Sequence, residues 1–204
     1  MSYLFGHPDV VLAALGQHVL LSGAALFAAF VIALPLGVAS ARVPGLRLPV
    51  FGLLNAIYTI PSLALFALLV PVLGLGFAPA ACGLALYALM IMTTNVTAGI
   101  TSVDPATVDA ARGLGMNGAQ VLWRVELPQA MSVIIGGARV ASAAVISIAT
   151  VAALVDAGGL GTLILAGIDQ DNLPKALAGA ITCVALALAA DGGLRLVERG
   201  VVRS

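Results

Sequence analysis

DAARGLGMNGAQVLWRVELP, residues 109–128, places Asp109, Arg112, Arg124 and Glu126 within one short stretch of a chain that is 61% hydrophobic and only 9% charged. Such a segment marks a place where the polypeptide leaves an apolar environment. The surrounding sequence shows what that environment is. From Leu48 to Val103 there is no Asp, Glu, Lys or Arg, and a bilayer crossing needs about 20 apolar residues, so this run holds two crossings and a turn. The mean hydropathy of +1.14 over 204 residues lies far outside the soluble range. The chain is read as an integral membrane protein. Strand-like alternation is missing from the sequence, so the backbone must satisfy itself as helices.

Cutting at charges and turn residues divides a single transmembrane domain, residues 1–204, into spans near 18–40, 48–73, 78–100, 131–156 and 175–197. The stretch SARVPGLRLP should form the first break, and GLGFAP suits a tight helical hairpin. No Lys or Arg precedes Arg42, so the first apolar segment lacks the basic start of a cleavable signal and is expected to stay as a helix. With the N-terminus outside and the C-terminus cytoplasmic, Arg42, Arg47, Arg112, Arg124, Arg139, Arg195, Arg199 and Arg203 all fall on the cytoplasmic side or at its interface. Lys175 alone is left outside. The opposite orientation violates the positive-inside rule at nearly every basic residue.

Residues 104–128 are then a cytoplasmic loop between spans three and four. Asp104 followed by Pro105 is a helix start. The first short helix should end near Arg112, with Gly113 and Gly115 permitting a turn. Asn117 can cap a second helix through Val125, which Pro128 should end. Ala110 and Ala111 would give the first helix a small-residue face for another protein, although a solvated connector fits the same residues. Asp191 stands one turn before Arg195 and should pair with it. Arg139 should snorkel to the cytoplasmic interface, or else lie on a solute path. Cys82 and Cys183 sit in apolar runs and read as packing residues.

The spacing also carries a resemblance. Membrane subunits of ATP-binding-cassette importers bear an EAA motif: Glu-Ala-Ala, three residues, Gly, nine residues, Ile, any residue, Leu-Pro. Asp109, Ala110, Ala111, Gly115, Val125, Leu127 and Pro128 follow that pattern, with Asp for Glu and Val for Ile. QHVLLSGAALFAAFVIALPLGV, IPSLALFALLVPVLGLG, ALYALMIMTTNVTAGI and AGGLGTLILAGI resemble stretches of the osmoprotectant, glycine betaine and choline permeases. Met92-Thr93-Thr94-Asn95 departs from that subfamily's Pro-Ile and Arg-Asn-Thr pattern.

The resemblance implies an all-α, methionine-permease-like core of five spans with a cytoplasmic coupling helix-turn-helix. It implies that Asp109, Ala110, Ala111, Arg112, Gly113, Gly115, Leu127 and Pro128 couple the chain to a cytoplasmic ATPase present in two copies. A second permease subunit, identical or a paralogue, and an extracytoplasmic binding protein complete the implied assembly in a bacterial inner membrane. The implied solutes are glycine betaine, choline, carnitine or related quaternary amines, with an amino acid as the alternative. ATP and Mg would sit on the partner, since the chain has no GxxxxGK[ST] loop and is expected to bind no cofactor itself.

Asn55, Tyr58, Thr59, Pro61 and Ser62 on span two, and Thr93, Thr94 and Asn95 on span three, are candidates for the translocation pathway, or alternatively for hydrogen bonding between helices. AGGLGTLILAG should form an outer re-entrant or short helical segment. A membrane enzyme is disfavoured, because HExxH and GxSxG are absent and His7 and His18 have no Cys or Glu cluster nearby. A channel or secondary transporter fits the span composition but leaves the EAA spacing unexplained. Zero net charge argues against a nucleic-acid partner.

Overall fold

A computed structural model describes residues 2–202. Ten α-helices follow one another among the described residues: α1 (Ser2–Gly6), α2 (Pro8–Arg42), α3 (Pro44–Tyr58), α4 (Ser62–Leu73), α5 (Phe77–Thr101), α6 (Pro105–Gly113), α7 (Gly118–Val121), α8 (Leu127–Ala149), α9 (Leu160–Asp169) and α10 (Leu173–Val202). A π-helical turn, Leu122–Glu126, precedes α8, and a 3-10 turn, Val151–Val155, follows it. Four helical stretches are long and apolar enough to cross a membrane, and the bent pair α3–α4 makes a fifth if taken as one span. Arg203, expected on the cytoplasmic side, lies outside the described residues.

The core is built from small residues. Ser22, Ala25, Ala29, Ala33, Gly37 and Ser40 recur every three or four positions on α2, all buried. This ridge lies against α5, where Leu84, Ala88, Met92 and Val96 are buried. Lipid tails are as apolar as side chains, so spans associate through close packing rather than the hydrophobic effect, and small residues permit it. At Gly37 the approach is closest: a Cβ there would lie 2.6 Å from Val96 Cβ. The Thr97 hydroxyl donates to the Gly37 carbonyl at 3.1 Å across the same seam. On its other side α5 meets α8, where a Cβ on Gly99 would lie 3.1 Å from Ala130 Cβ.

The stretch expected as one span over 48–73 is two helices bent by 96°. Pro61 has no N–H and disfavours helical backbone at Ile60, so the helix stops at Tyr58 and restarts at Ser62. The break expected across SARVPGLRLP is instead the single residue Val43, because Pro44 starts α3 at the position where its missing donor costs nothing. GLGFAP does turn the chain, with Gly74 and Gly76 at positive φ, and Gly76 N–H donates to Val155 O at 2.7 Å.

The second helix of residues 104–128 does not end at Pro128. Leu127 N–H bonds Leu122 O, five residues back, and the chain runs on into α8. A proline ring collides with the carbonyl four residues before it in an α-helix; the wider π turn ahead of Pro128 accommodates the ring without breaking the helix.

The segment containing AGGLGTL is held from α2. His18 is fully buried; its Nε2 donates to Ile146 O at 3.0 Å and its Nδ1 accepts from Leu160 N–H at 3.2 Å. The shift to 3-10 geometry after Ala149, with Thr150 N–H bonded to Ser147 O, leaves the Ile146 carbonyl for His18. Gln17 Oε1 accepts from Gly159 N–H at 3.0 Å. Arg139 is paired: it bonds Asp191 at 2.7 Å and Glu198 at 3.2 Å on α10. The expected Asp191–Arg195 pair forms at 2.9 Å and completes a charge-balanced network. Cys183 is buried, whereas Cys82 is exposed in the single chain, in a shallow apolar groove beside Ala28 and Ala85.

Gly37→Leu should separate α2 from α5, because backbone-distance packing leaves no room for a side chain. Thermal unfolding in detergent is expected to show a loss of roughly 1–3 kcal/mol or more, while Gly16→Leu, with open space at its Cβ, should unfold as the unsubstituted chain does.

Candidate functional site

Between α5 and α8 the chain forms a protruding helix-turn-helix whose geometry explains its sequence spacing. Asp104 caps α6 by accepting from Ala106 N–H at 2.9 Å, with Pro105 in the first helical position. The helix closes with Met116 N–H bonded to Ala111 O at 3.2 Å and Gly115 N–H bonded to Arg112 O at 2.9 Å. This pair of bonds is a Schellman motif, and it requires a left-handed residue just past the helix. Gly115 supplies it at φ +84°. The glycine four residues after Ala111 is therefore fixed by how the helix ends. Asn117 and Gln120 then form a reciprocal capping box, both bonds at 2.9 Å, which starts α7.

Exposure divides the motif residues. Asp109, Ala110, Arg112, Gly113 and Gly115 are exposed, while Ala111 is buried and faces its own chain. The small-residue face expected from Ala110 and Ala111 together is thus Ala110 alone. Leu114, at the tip, is 82% exposed. An isolated large apolar side chain on the outermost turn of a polar protrusion was not singled out from the sequence; its place just before the left-handed glycine was the available signal. Asp109 and Arg112 approach to 3.6 Å, an exposed pair of little energetic weight. Leu127 is buried at the foot of the protrusion with Val96, Ile100, Ala130 and Ile134, and Pro128 shapes the π turn there.

The pathway candidates separate into three groups. Asn55, Tyr58, Thr59, Pro61 and Ser62 surround the α3–α4 bend, where Asn55, Tyr58 and Thr59 are exposed. Tyr87 of α5, which sequence reasoning missed, donates its hydroxyl to Ile60 O within the bend and meets Tyr58 edge to face at 5.6 Å. Thr94 lines a groove of about 750 Å³ with Arg47, Phe51, Met90, Thr97 and Thr101. Asn95 turns to α8, where its side chain lies so close that a Cβ on Gly137 would collide with it. Thr93 is buried in the α2–α5 region and its hydroxyl is unbonded among the described residues.

The polar side chains at these positions bond their own helices. Asn55 donates to Phe51 O, Thr59 to Ala56 O, Thr94 to Met90 O and Asn95 to Ile91 O, each at 2.8 Å. They are therefore not the hydrogen bonds that join helices. With their protons committed to backbone, the hydroxyls of Thr59 and Thr94 present acceptor lone pairs outward. Among the described residues, no group of three His, Cys, Asp or Glu side chains is placed to hold a metal ion.

Comparison with known proteins agrees with this architecture. The family model for the binding-protein-dependent transport system inner membrane component matches residues 33–203. The carnitine transport permease protein OpuCB of Listeria monocytogenes is 36% identical over 182 residues, covering 89% of this chain and 84% of that protein. The osmoprotectant import permease protein OsmW of Salmonella typhimurium is 38% identical, over 86% of this chain and 84% of its own. The choline transport system permease protein OpuBD of Bacillus subtilis is 37% identical, over 98% and 89%. An inward-facing structure of the MetNI methionine ABC transporter superposes with a TM-score of 0.87 over 96% of this chain and 98% of that one, at 20% identity, which shows the shared fold. The family model spans most of the chain, and these transport permeases match it over nearly their full length: the chain belongs to the family of binding-protein-dependent transport system inner membrane components.

Proposed function

We propose that this chain is the permease subunit of an ATP-binding-cassette importer for osmoprotectants such as glycine betaine, choline or carnitine. The observation that carries the solute class is near-full-length similarity to permeases for carnitine, osmoprotectants and choline. In this reading α6 and its Gly115 turn are a coupling element that sits in a groove of a cytoplasmic ATPase, with ATP and Mg held by that partner. Asp109, Ala110, Arg112, Gly113 and Leu114 form the outer docking face. Ala111, Gly115, Leu127 and Pro128 shape the element from within.

Two permeases, identical or paralogous, flank a central pathway, and two ATPases drive them. Closure of the ATPases moves the permeases as near-rigid bodies and alternates access across the bilayer. The α3–α4 bend with Asn55, Tyr58, Thr59, Pro61 and Ser62, and the Thr94 groove, line the pathway; Asn95 supports it by packing on α8. Outward-facing oxygen lone pairs carry partial negative charge, which attracts the positively charged quaternary ammonium group. A separate extracytoplasmic protein delivers the solute. The protein lies in a bacterial inner membrane with its N-terminus outside and α6–α7 in the cytoplasm, as the arginine distribution favours.

Uptake of radiolabelled glycine betaine, choline and carnitine into proteoliposomes holding the permease, its ATPase and its binding protein tests this directly. Uptake should require both ATP and the ATPase; transport that persists without them would identify a channel or secondary transporter instead.

Leu114→Asp together with Ala110→Arg should abolish co-purification of the ATPase while the permease keeps its yield and unfolding temperature. Retained capture with normal uptake would remove the docking role. A cysteine introduced at Asn117 should react with a membrane-impermeant maleimide only from the cytoplasmic face, and labelling of intact cells from outside would invert the topology.

A further inference from the structure

Glu126 is a buried carboxylate in a chain where charged residues are scarce, and the EAA pattern leaves its position open. It lies in the π turn and is 7% exposed. Arg42, the last residue of α2, reaches it with a 2.5 Å contact between Nη2 and Oε2. The same nitrogen donates to Gly118 O at 3.3 Å, the first residue of α7. One guanidinium therefore grips both the beginning and the end of the segment that joins the protrusion to α8.

The surroundings make the grip directional. Below the pair, Leu122, Leu127, Ala130 and Ile134 pack with Leu34, Val38 and Ala41 of α2 and Val96 and Ile100 of α5. Val121 is also buried. Above it, α6 is joined to α7 by the turn through Gly115 and contacts the π turn. A π turn is a register defect with one residue more than the α-helix wants, a feature that recurs at functional positions. Left alone it would absorb a push on α6 by rewinding. Arg42 fixes it to the end of α2, the helix that carries the small-residue seam.

We infer that the Arg42–Glu126 pair is the transmission element of this permease: it stiffens the π turn so that displacement of α6 moves α2 and α8 together. The inference rests on the coupling role of α6 and identifies Arg42 and Glu126 as positioning residues, acting through the turn rather than on solute or nucleotide. Attraction in a partly desolvated site holds the pair, and removing one partner leaves the other charge uncompensated.

The test uses the reconstituted complex with its ATPase and binding protein, and reads ATPase capture, ATP hydrolysis and glycine betaine uptake in the same vesicles. Glu126→Gln and Arg42→Gln should each retain ATPase capture and hydrolysis while uptake per ATP falls roughly tenfold, within the range of ordinary coupling energies. The exchanged double variant, Arg42→Glu with Glu126→Arg, should restore part of that ratio by re-forming the ion pair, and only part, because a carboxylate at position 42 cannot donate to Gly118 O. Normal uptake per ATP in the single variants, or no recovery in the exchanged variant, overturns the inference. So does loss of capture or of membrane yield in the Gln variants, which would make the pair part of docking or of folding. Failure of the coupling role itself is distinguishable: the Leu114→Asp and Ala110→Arg permease would then still capture the ATPase and transport normally.

Discussion

Backbone-distance contact between α2 and α5 is the constraint on which the rest of the architecture depends. In a bilayer there is no gain from hiding an apolar side chain from lipid, so a helix pair holds only where its surfaces fit. The row from Ser22 through Gly37 to Ser40 gives α2 a flat face, and Val96 and its neighbours on α5 fill it. Because α5 also carries α8 on its other side, through Gly99 against Ala130, the three helices act as one block. The α3–α4 bend, α9 and α10 are attached to that block from outside.

The attachments differ in kind. α10 is joined to α8 by ions, with Arg139, Asp191, Arg195 and Glu198 in one balanced network. These side chains are only partly covered, so the network fixes position more than it adds stability. The α3–α4 bend is attached by the Tyr87 hydroxyl on Ile60 O and by Leu54 and Phe66 packed into the core, Phe66 against Gly83, while much of the rest of both helices lies at the surface.

Some of this was legible in the sequence because it depends on composition or on local chemistry. Apolar run length located the membrane helices, Asp104–Pro105 and Asn117 marked two helix starts, and the Asp109-to-Pro128 spacing identified the protrusion. The features that escaped depend on partners distant in sequence or on alternative solutions to the same local problem. Pro128 reads as a stop because proline usually is one, yet a π turn solves the same steric conflict. Ala110 and Ala111 are indistinguishable by type, and only the packed helix shows that Ala111 turns inward. Asn55, Thr59, Thr94 and Asn95 look alike as polar residues in apolar spans, but Asn95 is committed to Gly137 while Thr94 opens on a groove. His18 offered no nearby Cys or Glu, and its partners are backbone groups that sequence does not display.

The His18 latch also sets an order of assembly. Its two hydrogen bonds reach across 128 and 142 positions of the chain. The helix that bears it is made before α8 and α9 and enters the bilayer while Ile146 and Leu160 do not yet exist as partners. An unsatisfied imidazole in hydrocarbon is costly, so α2 cannot reach its final depth and rotation as an isolated span. It must wait, with its small-residue face also unmatched, until α8 and α9 have been synthesised. α2 is thus among the last helices to settle, and the completed bundle carries in His18 a check that the distant half of the chain has arrived.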